Sequence, residues 1–257
     1  MLPITLDPGH AINASCVGWW PMTEGSGTVA SDISGTGNHG AFSGGVSWAT
    51  TYASGSNLAF DGVDGELVFT HNSTLAITGD MTLVAWVNYA AWDWHMLFTK
   101  TSSSTAGPFM AYVNASRGTI EFHRGNGTLD AYVESTTPGP LSTWHCVAVT
   151  MSGTAVTHYL NGASNGTGTL STTIGDSGTD LRFGRRTDGF YLTGSAKNIR
   201  LFDRALSGAE IASLYSDPFF GKLIPTADPP TPATAPLSSD RLYNRSLTRI
   251  FRRGETR

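Results

Sequence analysis

Apolar and polar residues alternate over short runs along most of the chain, and turn-forming residues separate the runs. In MTLVAWVNY, residues 81–89, both alternating sets are largely apolar. This pattern predicts a strand covered on both faces. Similar β-type runs stand at NLAFDGVDGELVF, TIEFHRGNGTLDAYV, TWHCVAVTM, VTHYLNGASNG and KNIRLFDRAL.

Turns and caps divide these runs into elements. Asn126-Gly127 and Asn161-Gly162 lie between strand-like runs, which predicts two hairpins. The segment SGAEIASLYS predicts one short helix, with Ser207 and Glu210 as a capping box. The sequence therefore predicts an all-β protein, a jelly-roll β-sandwich of two antiparallel sheets with one short helix and a Pro-rich extended C-terminal tail.

Four segments are predicted along the chain: an N-terminal arm at 1–14, the sandwich at 15–220, a Pro-rich linker at 221–238 and a basic amphipathic tail at 239–257. Five prolines in the linker predict a semi-rigid spacer. The tail is either a solvated end or a helix that binds an acidic partner, with one apolar and one basic face. Its predicted partner-binding residues are Arg241, Arg245, Leu247, Arg249, Ile250, Phe251 and Arg252.

Charge separates the tail from the rest of the 257-residue chain. The net charge is −4, with 14% charged residues, so the whole chain lacks the excess positive charge that is typical of nucleic-acid-binding proteins. Residues 221–257 carry seven basic and three acidic side chains, which leaves the first 220 residues strongly acidic. This asymmetry predicts two separate roles.

Several classes of protein are disfavoured by what the sequence lacks. No run of 18 apolar residues predicts a membrane span, and the N-terminus has no pattern of a secretion signal. Two cysteines, Cys16 and Cys146, match neither a metal motif nor a disulfide framework, and Cys146 is predicted to be a core thiol. Gly35, Gly37 and Gly40 have the spacing of a dinucleotide-binding turn, but the Gly- and Ser-rich segment that follows cannot start the required helix.

Six motifs in order resemble the laminin-G-like branch of the concanavalin A-like lectin/glucanase superfamily, over residues 15–216. They are WWPMTEGSG, SDISGTGNHG, LAFDGVDGELVF, MTLVAWVNY, LSTWHCVAVTMSGTAVTHYLNG and RFGRRTDGFYLTGSAKNIRLFDRALSGAEIASLY. The resemblance implies a jelly roll whose Gly-rich loop holds one structural calcium ion, with Asp32, Asn38 and Asn198 as ligands. Lys197 stands where that family usually has an acidic residue, so a loop without an ion remains the alternative.

The same superfamily includes glucanases, but the paired-carboxylate motif that glycoside hydrolysis requires is absent. Exposed aromatic and planar polar side chains in two loops instead predict carbohydrate binding, although tryptophans in such loops can also cap the core. The predicted sugar-binding residues are Tyr89, Trp92, Asp93, Trp94, Arg185, Asp188 and Tyr191.

The sequence thus predicts a non-catalytic, lectin-like module that binds cell-surface glycans. Its tail is predicted to attach it to capsid or other assembly subunits of a virion or other extracellular particle, as a phage capsid decoration or fibre protein. A purely structural or protein-interaction jelly roll is the main alternative, and a glycoside hydrolase is a remote one.

Overall fold

The computed structural model describes residues 7, 9–51, 55–101, 108–125, 131–170, 175–186 and 188–222. The chain divides into two units, Met1–Leu223 and Ile224–Arg257. The second unit lies outside the described residues, and with it the predicted basic tail and all of the predicted linker after Lys222. The turn predicted at Asn126-Gly127 also lies outside them.

Eight antiparallel strands form the first sheet, which we call sheet 1. Its order is β14-β13-β12-β7-β18-β5-β4, and β1 also pairs with β18. The strands are β1 (Cys16–Trp20), β4 (Val46–Thr51), β5 (Gly55–Asp61), β7 (Met81–Asn88), β12 (His145–Ser152), β13 (Ala155–Leu160), β14 (Ala163–Thr169) and β18 (Thr193–Phe202).

The second sheet, sheet 2, also has eight antiparallel strands, in the order β11-β10-β9-β8-β15-β6-β3-β2. They are β2 (Val29–Ala30), β3 (Gly40–Ser43), β6 (Glu66–Phe69), β8 (Met96–Lys100), β9 (Phe109–Val113), β10 (Ile120–His123), β11 (Tyr132–Glu134) and β15 (Leu181–Phe183). A separate two-stranded hairpin consists of β16 (Arg185–Arg186) and β17 (Phe190–Tyr191). Two 3-10 helices span Ala11–Ser15 and Ser73–Leu75.

The main core lies between the two sheets, as the alternation of residues predicts. On β7, Leu83, Ala85 and Val87 face this core, whereas Val84 and Trp86 belong to a second apolar cluster on the other side of sheet 1. The prediction of a strand covered on both faces is confirmed. The architecture confirms the predicted jelly-roll β-sandwich.

The second apolar cluster exists because a helix covers part of the outer face of sheet 1. Helix α1 (Gly208–Ser216) buries Ile211 and Leu214, and it begins at the predicted capping box of Ser207 and Glu210. The carboxylate of Glu210 also accepts a hydrogen bond from Arg204. No described helix is long and apolar enough to cross a membrane.

Other local predictions can be compared with the backbone. Asn161 and Gly162 both have positive φ angles, 51° and 80°, and connect β13 to β14 in the predicted hairpin.

Cys16 and Cys146 are free and buried, which confirms the core thiol, and burial raises the pKa of each to about 12. Within the predicted arm, Asn13 Nδ2 donates to the carbonyl of Gly221. The described part of the arm is therefore bonded to the start of the segment that follows the sandwich.

Candidate functional site

The first predicted sugar-binding loop follows β7 and begins inside the core. Tyr89 is only 1% exposed, and its hydroxyl lies 3.1 Å from His145 Nε2. His95 packs against the same ring, with centroids 4.9 Å apart. Tyr89 is therefore a buried residue that holds the start of the loop against the core, and it does not offer a surface to a ligand.

The two tryptophans of this loop contact different parts of sheet 2. Trp92 is 40% exposed, lies against Gly118 in the turn between β9 and β10, and donates from Nε1 to the carbonyl of Gly139. Trp94 packs edge-on against Tyr112 of β9, with ring centroids 5.7 Å apart. Asp93 between them is exposed and accepts a hydrogen bond from the backbone N–H of Trp94.

The second predicted loop is the β16–β17 hairpin, and Phe190 joins it to the first. The ring of Phe190 lies 6.1 Å from that of Trp94 and under the guanidinium of Arg186. Arg186 donates to the carboxylate of Asp188, which is exposed. Trp94 and the hairpin are thus brought together through a phenylalanine that the sequence analysis did not select.

The other predicted residues of the hairpin are tied to the sheet. Arg185 donates to Glu66 Oε1 at 3.1 Å, and its guanidinium lies 5.4 Å from the ring of Tyr191. Glu66 is buried and also accepts from Arg182 at 2.6 Å. Two arginines therefore compensate one buried carboxylate, so Arg185 and Tyr191 position the hairpin.

A buried polar network lies on the outer face of sheet 2, beside Trp94. Its centre is Glu121 on β10, whose carboxylate accepts from Tyr112 Oη at 2.6 Å, Asn114 Nδ2 at 2.6 Å and Arg117 Nη2 at 2.9 Å. His123 Nε2 lies 2.7 Å from Tyr112 Oη and 3.2 Å from Glu121 Oε2. Four side chains therefore fix one carboxylate.

These contacts decide the protonation state of Glu121. Burial alone would raise the pKa of its carboxyl, but the hydrogen bonds from His123, Tyr112 and Asn114 outweigh it and lower the pKa to about 2. The pKa of Tyr112 is raised, first by burial and then by its bond to Glu121. Glu121 is consequently an anion at neutral pH and cannot donate a proton.

Stacked aromatic rings extend from this network to the protein surface. The imidazole of His123 stacks between the rings of Tyr112 and Tyr132, with centroids 5.0 Å away on each side. Tyr132 is 46% exposed. We call Trp92, Trp94, Tyr132 and Phe190, together with the network around Glu121, the aromatic face.

Sequence reasoning missed the network, although its signal was present. In the segment TIEFH, Ile120 and Phe122 face the core while Glu121 and His123 face outward. Two polar residues at i and i+2 on a strand share one face, so the alternation alone placed them together. A solvated outer strand face has the same pattern, so the alternation by itself does not identify a buried network.

The predicted calcium loop is held by hydrogen bonds within the protein, and it contains no helix. Gly35 and Gly37 have positive φ angles of 95° and 79°, which lets the loop curl around Asp32. The Asp32 carboxylate accepts five hydrogen bonds of 2.8 to 2.9 Å. The donors are the backbone N–H groups of Trp19, Ser34 and Asn38 and the hydroxyls of Ser34 and Thr36.

The two other predicted ligands are also used. Asn38 Oδ1 accepts from Asn72 Nδ2, and Asn198 Oδ1 accepts from the indole N–H of Trp19 at 2.8 Å. In the described part of the chain, no three His, Cys, Asp or Glu residues are grouped as a metal site would need. The side-chain oxygens of all three predicted ligands already accept hydrogen bonds from groups of the protein. Calcium binding stays a prediction.

Double-sheet jelly rolls of this kind include lectin domains, a class of binding module. The sequence agrees with this class. The laminin G family model, described as concanavalin A-like lectin/glucanases superfamily, matches residues 61–212, and the chain belongs to this family. The match confirms the resemblance over these residues. No curated protein matches the sequence.

Solved structures of binding domains share the fold. The binding domain of Paraclostridial Mosquitocidal Protein 1 is 12% identical with a TM-score of 0.64, over 79% of this chain and 52% of that one. Botulinum neurotoxin type C, in a structure concerned with its interaction with two ganglioside molecules, is 13% identical with a TM-score of 0.61, over 80% and 51%. This chain thus spans about half the length of these toxin chains.

A third structure matches over nearly its whole length. Domain 4 of an extracellular GH43 arabinanase from Geobacillus stearothermophilus, in complex with arabinotriose, is 13% identical with a TM-score of 0.63. The match covers 78% of this chain and 98% of that domain. At these identities the likeness establishes the fold alone.

Proposed function

We propose that the protein is a non-catalytic carbohydrate-binding module whose sugar site is the aromatic face. The observation that carries the proposal is the placement of two exposed rings, Trp92 and Tyr132, beside the buried network around Glu121. Sugar rings present flat C–H faces that pack on aromatic rings, and their hydroxyls bond to planar polar groups at the edge. The aromatic face offers both kinds of group.

The network gives the aromatic face a fixed shape. Glu121 is held by four side chains, and Trp92 is held between Gly118 and its bond to Gly139. Rings that are already ordered lose little conformational entropy when a ligand binds, which favours affinity.

Charge at the aromatic face favours neutral sugars. Arg117 bonds to both Glu121 and Glu134, and Arg186 bonds to Asp188. Because each arginine already has a carboxylate partner, an acidic sugar would have to displace an internal ion pair. The complex of the arabinanase domain with a neutral trisaccharide supports the same class of ligand.

The carboxylates of the aromatic face do not form a hydrolase pair in this proposal. Glu121 and Glu134 are paired residues on β10 and β11, and Arg117 bridges their carboxylates. Glycoside hydrolysis requires one protonated carboxyl as a general acid. With its low pKa, Glu121 cannot have that role.

Glycan binding is tested with an array followed by calorimetry on the best ligand. Trp92→Ala and Tyr132→Ala should each weaken binding about tenfold or more, because each removes a stacking surface. Tyr215→Ala is the matched control, since Tyr215 is also exposed but lies on α1 against sheet 1. No binding to any glycan, or equal losses in Tyr132→Ala and Tyr215→Ala, would favour a structural or protein-interaction jelly roll instead.

We also propose that residues 239–257 attach the module to an acidic surface on a larger assembly, such as a phage capsid or another extracellular particle. The support is the charge contrast between the basic segment after residue 220 and the acidic remainder of the chain. Truncation after Leu223 should abolish incorporation into the parent particle and leave glycan affinity unchanged. Unchanged incorporation would contradict this part of the proposal.

A further inference from the structure

A buried lysine at the end of β8 contacts side chains from two other segments. Lys100 has no exposed side-chain surface, and its Nζ lies 3.5 Å from Oδ1 of Asp176, 3.0 Å from Nδ1 of His71 and 2.8 Å from the carbonyl oxygen of Thr179. His71 follows β6, and Asp176 precedes β15. Because β15 lies between β6 and β8 in sheet 2, pairing of these strands brings the three side chains together.

His71 contacts both members of the ion pair. Its Nδ1 faces Nζ of Lys100, and its Nε2 lies 3.2 Å from Oδ2 of Asp176. An imidazole can accept a proton at one ring nitrogen and release one from the other. His71 can therefore move a proton from the ammonium of Lys100 to the carboxylate of Asp176. The transfer leaves a neutral amine beside a neutral carboxylic acid.

Burial favours this neutral pair. It lowers the pKa of Lys100, although the carboxylate of Asp176 acts in the opposite direction. A neutral lysine amine is a nucleophile, and the carboxyl group beside it is an electrophile. Since the fold holds both groups, their reaction is intramolecular, and well-oriented reactions of this kind reach effective molarities of about 10⁵ M or more. That value is far above the concentration of the water that would reverse a condensation.

We propose that Lys100 and Asp176 condense into an intramolecular amide bond. Nζ attacks the carboxyl carbon of Asp176, and the bond from this carbon to one carboxyl oxygen breaks. That oxygen leaves as water with two protons, one from the carboxylic acid and one from the amine, and His71 carries the protons between the two groups. The step consumes no oxidant, reductant or other co-reactant.

The surroundings of the pair suit the product. The amide keeps one N–H, and the carbonyl of Thr179 already accepts a hydrogen bond from Nζ. The remaining carboxyl oxygen becomes the amide carbonyl and can accept from Nε2 of His71. The reaction thus replaces a buried charge with a neutral group whose donor and acceptor both have partners. The side chain of Asp176 is 27% exposed, which gives the released water a path to the solvent.

The proposal is tested by mass spectrometry of the intact chain. The parent protein should be lighter than its sequence requires by one water molecule, and a digest should contain one branched peptide that includes both Lys100 and Asp176. Lys100→Arg and Asp176→Ala cannot form the amide, so both should have the mass that their sequences require. Lys197→Arg is the matched control, and it should lose water as the parent does. A folded parent protein with its full mass would overturn the proposal.

The two blocked variants also exclude another source of water loss. An Asp-Gly pair such as Asp61-Gly62 loses water when it cyclises to a succinimide, without any lysine. A loss that persists in Lys100→Arg and Asp176→Ala would therefore overturn the proposal as well.

A further variant tests the part given to His71. His71→Phe keeps a ring at this position but cannot transfer a proton, so the cross-linked fraction should grow about tenfold more slowly after synthesis than in the parent. Samples taken at intervals and measured by intact mass give both rates. Equal rates in the variant and the parent would contradict proton transfer by His71.

Discussion

The outer faces of the two sheets have opposite characters, although both belong to one sandwich. The outer face of sheet 1 is covered by α1 and by an apolar cluster in which Trp19, Phe202 and Leu214 are buried. On the outer face of sheet 2, polar and aromatic side chains surround Glu121, and Tyr132 stays 46% exposed. One face is a second core, and the other has the composition of a recognition surface.

A single buried arginine, Arg200, helps to cover the outer face of sheet 1. The guanidinium of Arg200 is 3.6 Å from the ring centroid of Trp19 and donates to the carbonyls of Pro218 and Phe220. It bonds the chain that follows α1 to the sheet. The arginines of the aromatic face instead bond to carboxylates near the solvent.

The largest effect on stability is expected for Arg200→Met. The variant loses the contact with Trp19 and both hydrogen bonds of the guanidinium, which should lower the free energy of unfolding by about 4 kcal/mol. The carbonyl of Phe220 loses this donor, whereas that of Pro218 keeps its hydrogen bond from Asn198 Nδ2. Arg117→Met on sheet 2 is the control, because its half-exposed side chain should contribute about 1 kcal/mol or less. Urea unfolding measures both, and equal losses would remove the contrast between the two faces.

Glu121→Gln should have the next largest effect, and one that depends on pH. The folded pKa of about 2 lies below the ordinary value of 4.5, so the ionised group stabilises the fold above pH 4.5, and this contribution is lost as the pH falls towards 2. The difference corresponds to about 3 kcal/mol at neutral pH. Urea unfolding between pH 2 and 7 should therefore show a flatter pH dependence for the variant than for the parent.

Asp32→Asn tests how much the hydrogen bonds of the Gly-rich loop contribute to stability. An amide cannot accept all five hydrogen bonds that the carboxylate accepts, so we expect a loss of about 2 kcal/mol in the free energy of unfolding. If these bonds alone hold the loop, adding EDTA or calcium leaves the melting temperature of the parent protein unchanged. A melting temperature that falls in EDTA would instead support the predicted calcium ion.

The smallest effect on stability is expected for Trp92→Ala, at about 1 kcal/mol or less, because the side chain is 40% exposed. Trp20→Ala is the comparison, since Trp20 is fully buried against Phe69 and its loss should cost about 3 to 5 kcal/mol. Thermal unfolding measures both variants. A large loss in Trp92→Ala would mean that Trp92 is part of the core and not a surface for binding.

Local patterns were sufficient for much of the fold. The capping box at Ser207, the turn at Asn161-Gly162 and the doubly covered strand β7 were all predicted, because each depends on residues close together in the sequence. The family motifs added the jelly-roll architecture. The burial of Tyr89 could not be predicted in this way, since its ring packs against His145 on β12, far along the chain, as well as against His95 of its own loop.

The sequence by itself determined the class of the protein: an acidic all-β sandwich with turns at defined places, one capped helix and a basic end. Tertiary structure alone decided where chemistry is concentrated. It placed Phe190 against Trp94, joined Tyr112, Glu121 and His123 in one network, and brought the buried lysine at the end of β8 to a histidine and an aspartate from other segments. Turns and caps are set by interactions between neighbouring residues, whereas these groups come from separate strands and loops and meet only when the strands pair in register.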